Sequence, residues 1–132
     1  MLITGASIFG FLGAIHLFYT FFTEKFSPRD PMAADAMKGT SPLLTRDTTV
    51  WKAWIGFNAS HSLGAMLLAA IYIPLAHSHF SVVQNSLWLS LVPVLAAISY
   101  TLLAFRYWFK IPLIGSAAAL TCFVLSAWPS LL

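Results

Sequence analysis

Four long apolar runs, each free of charge, constrain this chain more than anything else in its sequence. A helix that crosses a bilayer needs about 20 consecutive, mostly apolar residues. Runs of that length cover roughly residues 2–22, 53–76, 86–105 and 111–128. They are too long for the strands of a membrane barrel and lack the alternation such strands require. A spanning segment must also satisfy its own backbone polar groups, which a helix does. Composition agrees: 59% of the residues are hydrophobic and only 8% are charged, against about 25% charged in ordinary soluble domains. So few charges cannot cover a water-soluble fold of 132 residues, and lipid must be the solvent for most of the surface. The expected fold class is an all-α membrane protein. Residues 1–132 form one domain, a four-transmembrane-helix bundle with a short interfacial helix in its first loop.

The charged residues fall in two places. Glu24, Lys25, Arg29, Asp30, Asp35, Lys38, Arg46, Asp47 and Lys52 lie between or at the edges of the first two runs, and Arg106 and Lys110 lie between the last two. With four spans, these two connections share a side. Lysine and arginine accumulate on the cytoplasmic side of membrane proteins. The loops 23–52 and 106–110 are therefore expected in the cytoplasm, with both termini outside a cell inner (plasma) membrane. Trp51, Trp54 and Trp108 then fall near the inner boundary, and Tyr72, Trp88 and Trp128 near the outer one, as an aromatic belt would. The first run lacks the positive leader and short apolar core of a secretory signal, and is read as a span. A net charge of +3, confined to loops, gives no basis for nucleic-acid binding. The expected partners are the lipid bilayer and either a homo-oligomer or a larger membrane complex.

Within the first connection, Asp30, Pro31 and Gly39 read as the N-cap, first residue and end of a helix. Met32, Ala33, Ala36 and Met37 would share one face and Asp35 and Lys38 the other, a pattern suited to the inner membrane surface. Thr45, Asp47, Thr48 and Thr49 offer caps for the second span. Lys25, Arg29, Arg46 and Lys52 are the candidate contacts to anionic lipid headgroups or a partner subunit.

Small residues recur every fourth position in span one (Ala6, Gly10, Ala14) and span two (Gly56, Ser60, Gly64). Such stripes let helix backbones approach closely. The expectation is that these two faces pack together, so that Gly56→Leu or Gly64→Leu would destabilise the bundle more than Leu67→Ala.

Polar groups inside the spans are few. His16 in span one lies roughly 9 Å from its inner end, and His61 in span two lies roughly 12 Å from its own. The spans run antiparallel, so the two imidazoles reach similar depth. Asn58 and Ser62 lie within a turn of His61. His16, Asn58, His61 and Ser62 therefore form a candidate polar pocket in the inner half of the bundle. A buried ionisable group in a membrane is a functional hypothesis. Its structural counterpart is hydrogen bonding across helices, with Asn58, Ser60, Ser62 and Thr20 as partners.

No catalytic residue can be assigned. Ser60 and Ser62 adjoin His61, but no acid lies in a span to orient an imidazole. A lone histidine acting as acid or base, with Tyr19 or Tyr100 nearby, is the remaining catalytic arrangement. No cofactor is expected. Haem is the one that two facing histidines would call to mind, yet the small-residue faces favour close helix contact over a porphyrin pocket. His77 and His79 form an H-x-H without further ligands, short of the four a closed zinc site takes, so no metal site is assigned. The single cysteine, Cys122, allows no intramolecular disulfide and reads as a small buried apolar residue.

Two segments, 25–30 (Lys-Phe-Ser-Pro-Arg-Asp) and 48–64 (Thr-Thr-Val-Trp-Lys-Ala-Trp-Ile-Gly-Phe-Asn-Ala-Ser-His-Ser-Leu-Gly), resemble a family of small uncharacterised bacterial four-helix inner-membrane proteins. The resemblance covers residues 21–64 and implies a bacterial setting without an activity. The general plan also resembles the DoxX-like four-helix membrane proteins, as an analogy of fold alone. The first functional expectation is a small integral membrane protein of unknown activity: a non-enzymatic bundle or accessory subunit. The alternatives are an intramembrane enzyme or redox protein acting on a lipid-like or quinone-like substrate through His16 and His61, and a small channel or transporter.

Overall fold

A computed structural model describes residues 1–130 and shows an all-α protein. The helices are α1 (Leu2–Phe22), α2 (Pro31–Gly39), α3 (Val50–Ser78), α4 (Phe80–Gln84), α5 (Leu87–Tyr107) and α6 (Lys110–Ala127), followed by a 3₁₀ turn at Trp128–Ser130. Four of them, α1, α3, α5 and α6 with its terminal turn, are long and apolar enough to cross a membrane. Only 22–28% of each apolar window is buried within the protein. The remaining apolar surface requires a non-aqueous surrounding, as in a multi-pass membrane protein.

Local chemistry sets the helix ends. Asp30 Oδ1 accepts from the Met32 amide at 3.0 Å, and Pro31 opens α2. The helix stops at Gly39 without a left-handed residue, since Thr40 leaves in extended conformation. Thr49 Oγ1 accepts from the Lys52 amide at 3.2 Å at the start of α3. Ser86 does the same for Leu89 at the start of α5, at 3.3 Å. Thr45 and Asp47 instead close a small turn on each other. At 29 residues α3 is the longest helix, about 43 Å by its rise, so its ends extend past a hydrocarbon core of about 30 Å.

Side-chain hydroxyls in the spans mostly bond a carbonyl one turn back in their own helix, including Ser99 to Leu95 and Thr121 to Ala117. That lets them face lipid without an unsatisfied group. Thr101 is the exception among the described residues, its buried Oγ1 having no hydrogen-bond partner.

The chain divides into two compact units. The first comprises Met1–Leu12 with Ala65–Leu132. Here the beginning of α1, the end of α3, α5 and α6 pack as a four-helix bundle around Phe9, Tyr72, Val94 and Phe123. Close approach depends on glycines. A Cβ at Gly5 would lie 2.7 Å from the Phe123 ring, and one at Gly10 would lie 2.8 Å from Ala69 Cβ. Phe9 meets Tyr100 edge-on, with ring centroids 5.1 Å apart, and Phe123 at 5.8 Å. Tyr72, placed by sequence in the outer aromatic belt, is only 4% exposed, and its hydroxyl donates to the Leu89 carbonyl at 2.9 Å. Trp88 and Trp128 are exposed. The segment between α3 and α5 contains α4, and the Ser90 hydroxyl donates to the Val83 carbonyl near its end at 2.8 Å.

The second unit is Gly13–Gly64, in which the end of α1 and the start of α3 form a hairpin with α2 in the connection. The expected packing stripe of α3 is overturned here. Gly56, Ser60 and Gly64 are all exposed, and a Cβ at Gly56 would meet nothing within 4 Å. The covered face carries Asn58 and Ser62 instead. Of the α1 stripe, Ala6 is buried and Gly10 makes a close contact, both in the first unit, whereas Ala14 is exposed. In α2 the half-covered residues are Ala33, Ala34 and Met37, while Met32 is 80% exposed.

Candidate functional site

The polar residues of the hairpin converge. Asn58, His61 and Ser62 share one face of α3 because they are three and four positions apart, and His16 reaches them from α1. The Asn58 Nδ2 group donates to the Trp54 carbonyl at 2.8 Å, one turn back. A carbonyl only accepts, so this contact orients the amide and turns Oδ1 toward His16. His16 Nε2 lies 3.0 Å from that oxygen and must be the donor, so Nε2 carries a proton. Asn58 is 6% exposed. The bond therefore joins α1 to α3 where water cannot compete for it.

The His16 ring has two ring neighbours. Phe26 is the nearer, with centroids 4.4 Å apart and planes tilted by 31°. His61 is the second, at 5.5 Å and 57°. The Phe57 and His61 rings lie near-parallel at 6.5 Å. Phe26 belongs to the loop after α1 and is tied to α3 by the Trp54 indole, whose Nε1 donates to the Phe26 carbonyl at 3.1 Å. Thr20, on α1, bonds the His16 carbonyl at 2.8 Å.

Of the residues singled out by sequence, His16, Asn58 and His61 are brought together. Ser62 is fully buried beside them, but its hydroxyl donates to the Asn58 carbonyl at 2.8 Å. Ser60, a proposed partner, is exposed and bonds the Phe57 carbonyl. Each serine proton is thus directed at its own helix, and neither serine is presented to an imidazole as a nucleophile. Tyr19 belongs with Phe26 and Lys25, whose Nζ lies 3.9 Å from the Tyr19 ring centroid. Tyr100 packs on Phe9 in the first unit. Arg29, Arg46 and Lys52 are exposed.

Sequence reasoning missed Phe26 and Trp54. Trp54 had a signal, since it stands one turn before Asn58 on the same face. Phe26 had none, because a loop residue's place depends on the path of the chain. His77 and His79 are both exposed, and no group of three or more His, Cys, Asp or Glu suited to a metal occurs among the described residues.

The arrangement can hold two helices and a loop together, and it places two imidazoles side by side with no carboxylate in the spans to assist them. When the chain is compared with models of known protein families, with curated proteins and with solved structures, nothing matches.

Proposed function

We propose that this chain is a non-enzymatic accessory protein of a bacterial inner membrane, a small bundle that associates with copies of itself or with a larger membrane complex through the outward face of α3. One observation carries this reading: Gly56, Ser60 and Gly64 form an exposed small-residue stripe with open space over Gly56. Stripes of this kind let a neighbouring helix approach closely enough for van der Waals contact and hydrogen bonding to replace lipid contact. The polar cluster fits the same reading as a structural clasp, since its hydrogen bonds end on protein groups. The bacterial setting draws support from the resemblance of residues 21–64.

Purification in mild detergent tests the proposal. The chain should emerge as an oligomer or with a stoichiometric partner, and Gly56→Leu combined with Gly64→Leu should release it as a monomer of unchanged helicity. A wild-type chain that stays monomeric and partnerless in detergent and in vesicles would sink the idea. A second reading draws on the 5.5 Å approach of His16 and His61: an intramembrane redox or enzymatic site for a quinone-like or lipid-like substrate, with haem as its cofactor. A Soret band in the purified protein, lost in His16→Ala, would favour it over the accessory role.

The orientation we propose has both termini outside and the loops 23–52 and 106–110 in the cytoplasm. Its basis is that all seven Lys and Arg fall in those two connections or at their edges. Reporter fusions at Lys38 and Leu132 should report opposite sides of the membrane. A cytoplasmic Leu132 fusion would overturn the assignment.

A further inference from the structure

Exposed apolar side chains within the spans are explained by lipid contact, but Leu43 and Leu44 lie outside them, in the first connection. Leu43 and Leu44 are 110% and 94% exposed, at a turn between Pro42 and Thr45. The Val50 amide donates to the Thr40 carbonyl at 2.9 Å, closing residues 41–49 into a loop that holds these exposed leucines at a turn, a form often functional. Val50 is also the first residue of α3, so the loop is rooted at the end of a spanning helix. Between residues 38 and 52 the charges are Lys38, Arg46 and Lys52 against Asp47 alone. Asp47 is drawn back onto the loop, where Thr45 Oγ1 donates to its carboxylate at 2.9 Å and accepts from its amide at 3.1 Å. Lys38 Nζ lies over the ring of Trp51, 5.6 Å from its centroid, and Trp51 precedes Lys52 in sequence.

Two protruding leucines bordered by cations, at the end of a membrane helix, match the layering of a leaflet: acyl chains below, phosphates above. We infer that the 41–49 loop docks on the anionic leaflet next to α3, with Leu43 and Leu44 entering the headgroup–acyl boundary and Lys38, Arg46 and Lys52 meeting lipid phosphates. The inference requires the membrane reading but not the association through α3.

The test uses the full chain with Cys122→Ser, or Cys122→Ala if the serine variant fails to fold, and an environment-sensitive dye on Leu44→Cys. The protein is reconstituted into vesicles of phosphatidylcholine alone or mixed with phosphatidylglycerol. The expected result is blue-shifted emission, quenching by lipids labelled near the headgroup, and shielding from aqueous iodide, all greater in the anionic vesicles. A dye on Ser41→Cys should stay open to iodide. Arg46→Glu with Lys52→Glu should return the Leu44→Cys dye toward water. Full access of that dye to iodide in both vesicle types overturns the inference and leaves a protein groove as the occupant. Shielding no greater in anionic than in neutral vesicles overturns the role given to the cations.

Discussion

Gly10→Leu is expected to lower the stability of the bundle by about 1–3 kcal/mol, the usual cost of overpacking a tight core, whereas Gly56→Leu in the monomer should change it little. The difference follows from what each new side chain meets. At Gly10 the first added carbon would already lie 2.8 Å from Ala69 Cβ. An alanine methyl has no rotamer with which to retreat, so α1 and α3 must separate in the first unit. Between helices in lipid there is little hydrophobic drive, and association rests on contact itself. Separating two backbones therefore removes much of what holds them. Gly5→Leu should be similarly damaging, since its Cβ would meet the fully buried Phe123 ring. Gly115→Leu should be milder, because the atom in its way is the mobile end of Leu12. Leu67→Ala, at a side chain 60% exposed, should be close to neutral. Thermal unfolding of the monomeric variants in detergent gives the ranking. A Gly56→Leu loss as large as that of Gly10→Leu would show that the open face of α3 is packed after all.

That ranking removes the large effect at Gly56 that the sequence alone leads one to expect, and the reason is physical. The four spans were legible because their length and lack of charge leave few alternatives, and the observed ends lie within three residues of the expected ones. Which face of each span turns inward was not legible. In water, an apolar stripe against a polar one settles the matter. In lipid both faces are apolar. The α3 stripe Gly56–Ser60–Gly64 and the covered series Asn58, Ser62, Ala65, Ala69 both look like packing faces, and only the second is covered within the chain. Tyr72 was similarly ambiguous: a tyrosine near a span end serves a belt or a buried carbonyl equally well, and here it found Leu89. The candidate site was better encoded. Polar groups within a span are expensive, so His16, Asn58 and His61 stood out, and helical rise set them at one depth. The cover over His16 was hidden, because Phe26 arrives from a loop and is held there by Trp54.

Asn58→Leu should cost about 1–3 kcal/mol, the penalty for leaving a buried donor without its acceptor. The substitution fills the space but removes Oδ1, so the His16 Nε2–H, held at 3.0 Å in the wild type, loses that partner. It also deletes the bond to the carbonyl of Trp54, the residue whose indole anchors Phe26. Membrane hydrogen bonds between helices average only about 0.6 kcal/mol, with a maximum near 1.7, so an effect above that range would mean that the loop clasp is lost together with the bond. A double-mutant cycle separates the two. His16→Leu and Asn58→Leu should be non-additive, the pair together being little worse than either alone, while His16→Gln should recover part of the stability because an amide NH₂ can donate to the same oxygen. Additive losses would show that the His16–Asn58 contact contributes nothing of its own. His61→Gln discriminates the roles of the second imidazole. If the cluster is a clasp, this variant should keep most of the stability and leave association through α3 unchanged. If His61 instead serves a redox or catalytic site, ligand binding or activity should disappear from a protein whose unfolding temperature stays near that of the wild type.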